Sequence, residues 1–317
     1  IWFDILKQYE YFKPEKVPIP ELDKKNGYYK VPYWNVLDYL EKLSKQKKLP
    51  NGYIAEILNI IKEVTSYFKK DKNKLDNYKV WWVFISILSN LLNSEVEDNV
   101  LDLIPCWLNS KFGNDWQINE IIERLLPKFI ESNNQEDISK AEKILRYLLE
   151  IKWVPGWKEY PTYKNLIDIP KEQRTEEQKN TIRLFDLDKE KPKLIFEQFL
   201  LIPEKIHLIN KLGKKCSKEI IYWLAGEIVK IFEKEKYNED YDLTMVWIDN
   251  IMHINYGYSD ASLFLIIILR ELLLAKSEAN KDDVLEILNE FMTKYKYPVF
   301  RRLMIYVVNK DWTKYRE

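Results

Sequence analysis

The stretch from Ser259 to Trp312 constrains the fold more than any other part of this 317-residue chain. Its first segment, Asp260 to Ala275 (DASLFLIIILRELLLA), is apolar on nearly every side. A short polar turn, Lys276 to Asn280, leads to an amphipathic run from Lys281 to Tyr295. Pro298 opens a third segment, Val299 to Val308, and the chain starts afresh at Trp312. Helix, turn, helix, Pro break, helix is the pattern of stacked antiparallel helix pairs, because Pro begins a helix more readily than it continues one. A helix that is apolar all round has to lie between layers of such a stack.

The same pattern runs through most of the chain. After a short aromatic helix at 1–12 (Trp2, Phe3, Leu6 and Tyr9 on one face), residues 13–32 hold Pro14, Pro18, Pro20 and Pro32 and an Asn26-Gly27 turn. That segment reads as a loop, with room for a small ribbon at the Asn-Gly. Helices then follow at 34–43, 53–68 and 78–92, the last apolar almost all round. Ser94 with Glu97 has the spacing of a capping box opening the next helix, and Pro105 should kink that helix. The clearest 3.6-residue stripe is Ile118, Ile121, Ile122, Leu125, Leu126 and Phe129. Further helices are expected at 138–149, at 192–212 in two pieces split at Pro203, at 218–232 capped by Ser217, and at 242–254.

Pair starts near 34, 78 and 117, and again near 217, 259 and 298, recur at roughly 40 residues, the length of a HEAT or armadillo repeat. Only 7 glycines are present, too few for phosphate loops or a many-turned β-sandwich. The expected fold is therefore all-α: an α-α superhelix of about a dozen helices, curved and right-handed. It divides into a helical-repeat half at 1–150, an irregular Pro- and aromatic-rich insertion at 151–192, and a second helical-repeat half at 193–317.

Formal charge is zero, with 42 Lys to 8 Arg, so no global field draws the chain to nucleic acid or an acidic membrane. The longest apolar run, Leu263 to Leu269, is far shorter than the ~20 residues of a membrane span. Cys106 and Cys216 have no partner at metal-ligand spacing and read as reduced thiols, which places the chain in the cytoplasm. The chain begins without Met inside an aromatic segment and ends just after a helical start, as a fragment of a longer polypeptide would.

Candidates for chemistry are few. His207 and His253 lie 46 residues apart with no Cys or His at ligand spacing, so they read as ordinary packing or surface residues. No G-x-S-x-G or other nucleophile motif occurs. Asp98 and Asp102 share a helix face, and Asp282 and Asp283 sit at a helix start where the macrodipole favours them. Neither a cofactor nor a catalytic residue is assigned, and an α/α-toroid enzyme is the most remote alternative.

From Lys24 to Lys79 there are 13 Lys against 6 acids, interleaved with Tyr28, Tyr29, Tyr33 and Trp34, which is how a strand of nucleic acid would be held. Residues 95–150 reverse the balance, 12 acids to 6 bases, so the surface is bipolar. A nucleic-acid-binding HEAT-like array, as in DNA repair, is therefore the less favoured reading.

The sharpest local feature is the aromatic set Trp153, Trp157, Tyr160 and Tyr163 in the Pro-rich segment, where no helical stripe awaits large rings. The ordinary role of such rings is a small satellite core; the functional one is to anchor a protein partner. Arg301 and Arg302 likewise read first as a solvated helix face.

The opening IWFDILKQYEYFKPE…GYYKVPYWNVLDYLEKL resembles a segment of large bacterial multidomain proteins of the STAND NTPase and anti-phage defence type. The residues that carry it are Trp2, Phe3, Leu6, Phe12, Pro14, Pro32, Tyr33, Trp34, Leu37, Tyr39 and Leu40, within the first 45 or so. The resemblance implies HEAT/armadillo-like repeats that sense a partner or hold an effector inactive, and it lends no enzymatic activity because no Walker motif is present. The expectation is a non-catalytic scaffold or sensor module whose partner is another protein, or other domains of its own chain, with no membrane contact.

Overall fold

Apolar residues at 3- and 4-residue steps drive nearly every element, and the computed structural model is all-α, with about a dozen helices and two short antiparallel ribbons among the described residues. It describes residues 2–46, 48–50, 52–71, 75–112, 115–195, 203–236, 261–310 and 312–315. The chain forms two compact units, Ile1–Leu148 and Leu149–Glu317. The helix expected at 242–254 lies outside the described residues.

In the first unit, α1 (Trp2–Gln8) is followed by a ribbon of β1 (Glu21–Asp23) and β2 (Tyr28–Lys30), closed by Gly27 at φ +71°. That left-handed value is why the turn needs its glycine. Then come α2 (Val36–Ser44), α3 (Tyr53–Lys70), α4 (Tyr78–Asn90), α5 (Asp98–Leu101), α6 (Ile104–Leu108), α7 (Asp115–Glu120), a π-helical turn (Ile121–Leu125), α8 (Leu126–Ile130) and α9 (Gln135–Leu148). α2 packs on α4, and α4 on α7 and the π turn; α3 packs on α5, and α5 and α6 on α9. Two layers result, in which each helix meets the one a full pair further along the chain.

Side-chain hydrogen bonds tie like positions of successive pairs. Ser86 Oγ donates to Glu41 Oε1 at 3.0 Å across 45 residues, and Asn90 Nδ2 to Ser44 Oγ at 3.0 Å across 46. Arg124 donates to Ser86 at 2.7 Å and to Asn90 at 2.8 Å, 38 and 34 residues back. In the other layer Trp107 Nε1 donates to Thr65 Oγ1 at 3.0 Å, 42 residues away, and both residues are fully buried. The stripe Ile118, Ile121, Ile122, Leu125, Leu126 and Phe129 is completely buried, each side chain stabilising the core by about 2 kcal/mol.

Local differences from the sequence reading have physical causes. Pro105 ends α5 and opens α6 in the first turn rather than kinking one helix. The Ser94–Glu97 box does not form: the Leu92 amide donates to Glu95 instead, at 2.7 Å, and Glu97 takes the N-cap position of α5. Trp2 and Tyr9 are both 68% exposed, and of the α1 aromatics only Phe3 is buried. Pro127 is accommodated because the backbone widens into the π turn just before it.

The second unit is built on α14 (Ala261–Ala279), which carries the largely apolar segment and continues through Lys276–Ala279, expected as a turn; 16 of its 19 residues are buried. Around it pack α12 (Pro203–Lys215), α13 (Lys218–Glu235), α15 (Lys281–Lys294) and α16 (Pro298–Lys310). Gly213 lets α12 approach closely: a Cβ there would lie 2.8 Å from Ala275 Cβ and 3.0 Å from Leu272 O. The charged step inside the apolar stretch of α14 is internally compensated, with Arg270 Nε 2.8 Å from Glu271 Oε1. No described helix is long and apolar enough to cross a membrane.

Candidate interaction site

Residues 151–194 are more ordered than their composition implies. β3 (Ile151–Pro155) pairs antiparallel with β4 (Glu190–Leu194), with Trp153 opposite Pro192. The chain after Pro192 is thus a strand end, not the start of a helix as expected. Between the strands run 3-10 turns at Gly156–Lys158, Pro161–Tyr163 and Lys171–Gln173, and the helices α10 (Lys164–Asp168) and α11 (Glu176–Leu184). Thr175 caps α11 with a reciprocal box, its Oγ1 accepting from the Gln178 amide while Gln178 Oε1 accepts from the Thr175 amide.

A pinned turn closes the segment. Asp186 adopts φ +49°, and the Lys189 amide donates to its carbonyl. The Gly156 amide donates to Lys189 O at 2.7 Å and the Trp157 amide to Leu187 O at 3.1 Å. The approach is so close that a Cβ on residue 156 would fall 2.3 Å from Asp186 O. Only glycine fits there.

On this frame sit the four aromatic residues that the sequence singles out. None is fully buried: Tyr160 is exposed at 37%, and Trp153, Trp157 and Tyr163 are half-buried. Tyr160 and Tyr163 both pack against Phe185, with ring centroids 4.9 and 5.3 Å away. Lysines cover the other faces. Lys234 Nζ lies 3.8 Å above the Trp153 ring, Lys164 5.4 Å above Trp157 and Lys191 5.8 Å above Tyr160. Two of these ammonium groups are held in place, Lys234 by Glu190 at 2.8 Å and Lys191 by Glu159 at 3.1 Å. Each such cation–π contact at a partly exposed site is worth about 0.5–1 kcal/mol. The structure therefore joins Tyr160 with Tyr163 through one hub, while Trp153 and Trp157 take lysine covers of their own. Phe185 went unnoticed in the sequence because it sits in a charged run with no stripe around it.

A second aromatic surface lies on the first unit. Trp2, Leu6, Tyr11, Val36 and Tyr39 line an apolar cavity of about 350 Å³. Of the residues behind the family resemblance, Phe3, Phe12, Trp34, Leu37 and Leu40 are buried core.

The carboxylates considered for acid–base work have structural partners. Asp102 accepts from Lys143 at 2.7 Å and from the Tyr147 hydroxyl at 2.5 Å. Those two hydrogen bonds, Lys143's first, hold its carboxyl below the usual range. Asp283 lies 3.2 Å from both Lys218 and Lys276. His207 is an exposed residue of α12, and His253 lies outside the described residues. Among the described residues no three His, Cys, Asp or Glu side chains gather as a metal site requires. Cys106 is half-buried and Cys216 buried, and neither is in a disulfide. No protein-family model, curated protein or solved structure matches this chain.

Proposed function

We propose that this chain is a non-catalytic helical-repeat scaffold or sensor module that binds another protein, or other domains of its own polypeptide. The observation that carries the reading is the aromatic set Trp153, Trp157, Tyr160 and Tyr163, half-exposed on a ribbon pinned at Gly156. Partly exposed Trp and Tyr held rigidly lose little entropy on binding, which is why they anchor protein interfaces. The ladder of hydrogen bonds in the first unit, spanning 34 to 46 residues, supports a HEAT- or armadillo-like repeat. The resemblance of the first 45 or so residues adds a bacterial STAND-type or anti-phage defence setting to the proposal, and two cysteines outside any disulfide favour a reducing, cytoplasmic compartment.

Photo-crosslinking tests the reading directly. A benzophenone amino acid at position 160, in the chain as expressed in its own cell, should trap one dominant polypeptide. Trp153→Ala with Trp157→Ala should reduce that product at least about tenfold, as loss of hot-spot residues does. Equal trapping by a probe placed at the exposed Gln173, or no effect of the two substitutions, would sink the proposal.

A further inference from the structure

Beside the aromatic ribbon, and independent of the reading just given, a cavity of about 400 Å³ opens between the 3-10 turn at 171–173, α11 and the pinned turn at 186–189. Five cations line it: Lys171, Arg174, Lys179, Arg183 and Lys189. Ile182, almost fully buried, supplies an apolar patch between them.

Part of this charge is already matched. Lys179 pairs with Glu176 at 2.7 Å and Lys189 with Asp186 at 2.6 Å, and Asp188 adds one more carboxylate to the rim. Five positive charges against three negative ones leave an excess of two. That excess resides in Lys171 and Arg183, which make no ion pair among the described residues, and in Arg174.

Arg174 is fixed in place. Its Nε donates to Ile169 O at 2.8 Å and its Nη2 to Ile167 O at 3.0 Å. Two backbone carbonyls thus hold the guanidinium while neutralising none of its charge, and the Nη1 hydrogens remain to donate. The opposite wall is as firmly held, because the 186–189 turn is bonded to Gly156 and Trp157. Concave shape, a surplus of cations, one immobilised guanidinium and a small apolar floor are the elements of a site for a phosphate-bearing ligand.

We infer that this cavity binds the phosphate group of a small phosphorylated molecule, with Arg174, Arg183 and Lys171 as the ligating cations. Arg supplies the fork that matches two phosphate oxygens, and Lys171 adds a point charge. The volume exceeds what one phosphate occupies and falls within the range of small-molecule sites, leaving space for an organic portion against Ile182.

The test is calorimetric titration of the whole chain with inorganic pyrophosphate at about physiological salt, where loose surface attraction is screened. One equivalent should bind. Lys171→Ala with Arg183→Ala, both at exposed positions, should weaken that binding at least about tenfold. Asp188→Asn should tighten it a few-fold by removing a rim carboxylate, a gain that misfolding cannot mimic. Lys42→Ala with Lys69→Ala, in the first unit, should leave it unchanged. Absence of binding at millimolar pyrophosphate, or equal weakening by the control pair, would overturn the inference. So would a single-stranded oligonucleotide that displaces pyrophosphate and depends on the same two cations, because the site would then serve a nucleic-acid backbone.

Discussion

Lys128 is held in the first unit by the carbonyls of Leu88, at 2.7 Å, and Leu91, and burial pushes its ammonium down to about 8. Glu95 and Asp137 work against that shift and Lys140 works with it. In the unfolded chain a lysine titrates near 10.4. Between pH 8 and 10 the unfolded state therefore carries more of this proton than the folded one, so Lys128 makes stability rise with pH across that window. The raised hydroxyls of Tyr33 and Tyr147 act in the opposite sense, but only above pH 10. Denaturant melts at pH 8 and pH 10 should show the wild type gaining stability relative to Lys128→Met, and parallel profiles would refute the shift. Gly156 makes a sharper case, because a Cβ at 2.3 Å from a backbone oxygen cannot be relieved by a rotamer change. Gly156→Ala should cost about 2 kcal/mol, typical of forced overpacking, and should speed hydrogen exchange at the Trp157 amide, whose acceptor Leu187 would be pushed away. An unaltered exchange rate there would show that the close approach does not exist.

Elements differ in how plainly the sequence announces them. The stripe from Ile118 to Phe129 was legible because one buried face of a long helix repeats every 3.6 residues, and all six of its members are buried. The apolar stretch of α14 was legible for a different reason, its first nine residues having no charged side to place outward. The β3–β4 ribbon was not, because its strands are five residues each, lie 35 residues apart and include Pro155 and Pro192, which argue against a strand. The π turn left no local signature beyond Pro127, and the shared face of Trp2, Phe3, Leu6 and Tyr9 did not tell which of them would be buried. Of the interaction site, the rings could be read from composition, whereas Phe185 and the lysine covers depend on tertiary approach. Gly213 could have been read two ways. Alanine there would gain about 1 kcal/mol of helix propensity, but its Cβ would meet Leu272 O at 3.0 Å and Ala275 Cβ at 2.8 Å. Since backbone must move apart along the α12–α14 contact, overpacking of about 1–3 kcal/mol should outweigh the propensity gain. Gly213→Ala should lower the unfolding free energy, and Ala275→Gly should recover part of the loss, which a double-mutant cycle would read as non-additivity. A stabilised Gly213→Ala protein would mean that the two helices are not in close contact.

For the whole molecule, charge decides between partner classes more firmly than any motif. The 50 basic and 50 acidic residues cancel, so at separations beyond a Debye length of ~8 Å the chain offers a polyanion no attraction. At closer range three of the 13 lysines in the stretch from 24 to 79 are drawn into ion pairs and a fourth onto a backbone carbonyl. Lys62 Nζ is 2.8 Å from Glu97, Lys45 2.7 Å from Glu41 and Lys30 3.4 Å from Asp23, while Lys79 donates to Val31 O at 2.7 Å. Each of the three ion pairs offsets a cation that would otherwise displace a counterion from a phosphate backbone, and affinity for duplex DNA falls with salt by a log–log slope of about −0.9 per phosphate neutralised. With the 12 acids of residues 95–150 opposing the remaining lysines and a net charge of zero, that slope should be shallow and the affinity low. A duplex of about 20 base pairs should therefore run unretarded with about 1 μM protein at about 150 mM salt, where a dedicated non-specific binder already begins to shift it. Retardation that disappears steeply between about 50 and 200 mM salt would instead require several phosphate contacts. In that case the helical repeats would be a nucleic-acid array, and the aromatic ribbon would have to be re-read as a stacking platform for bases.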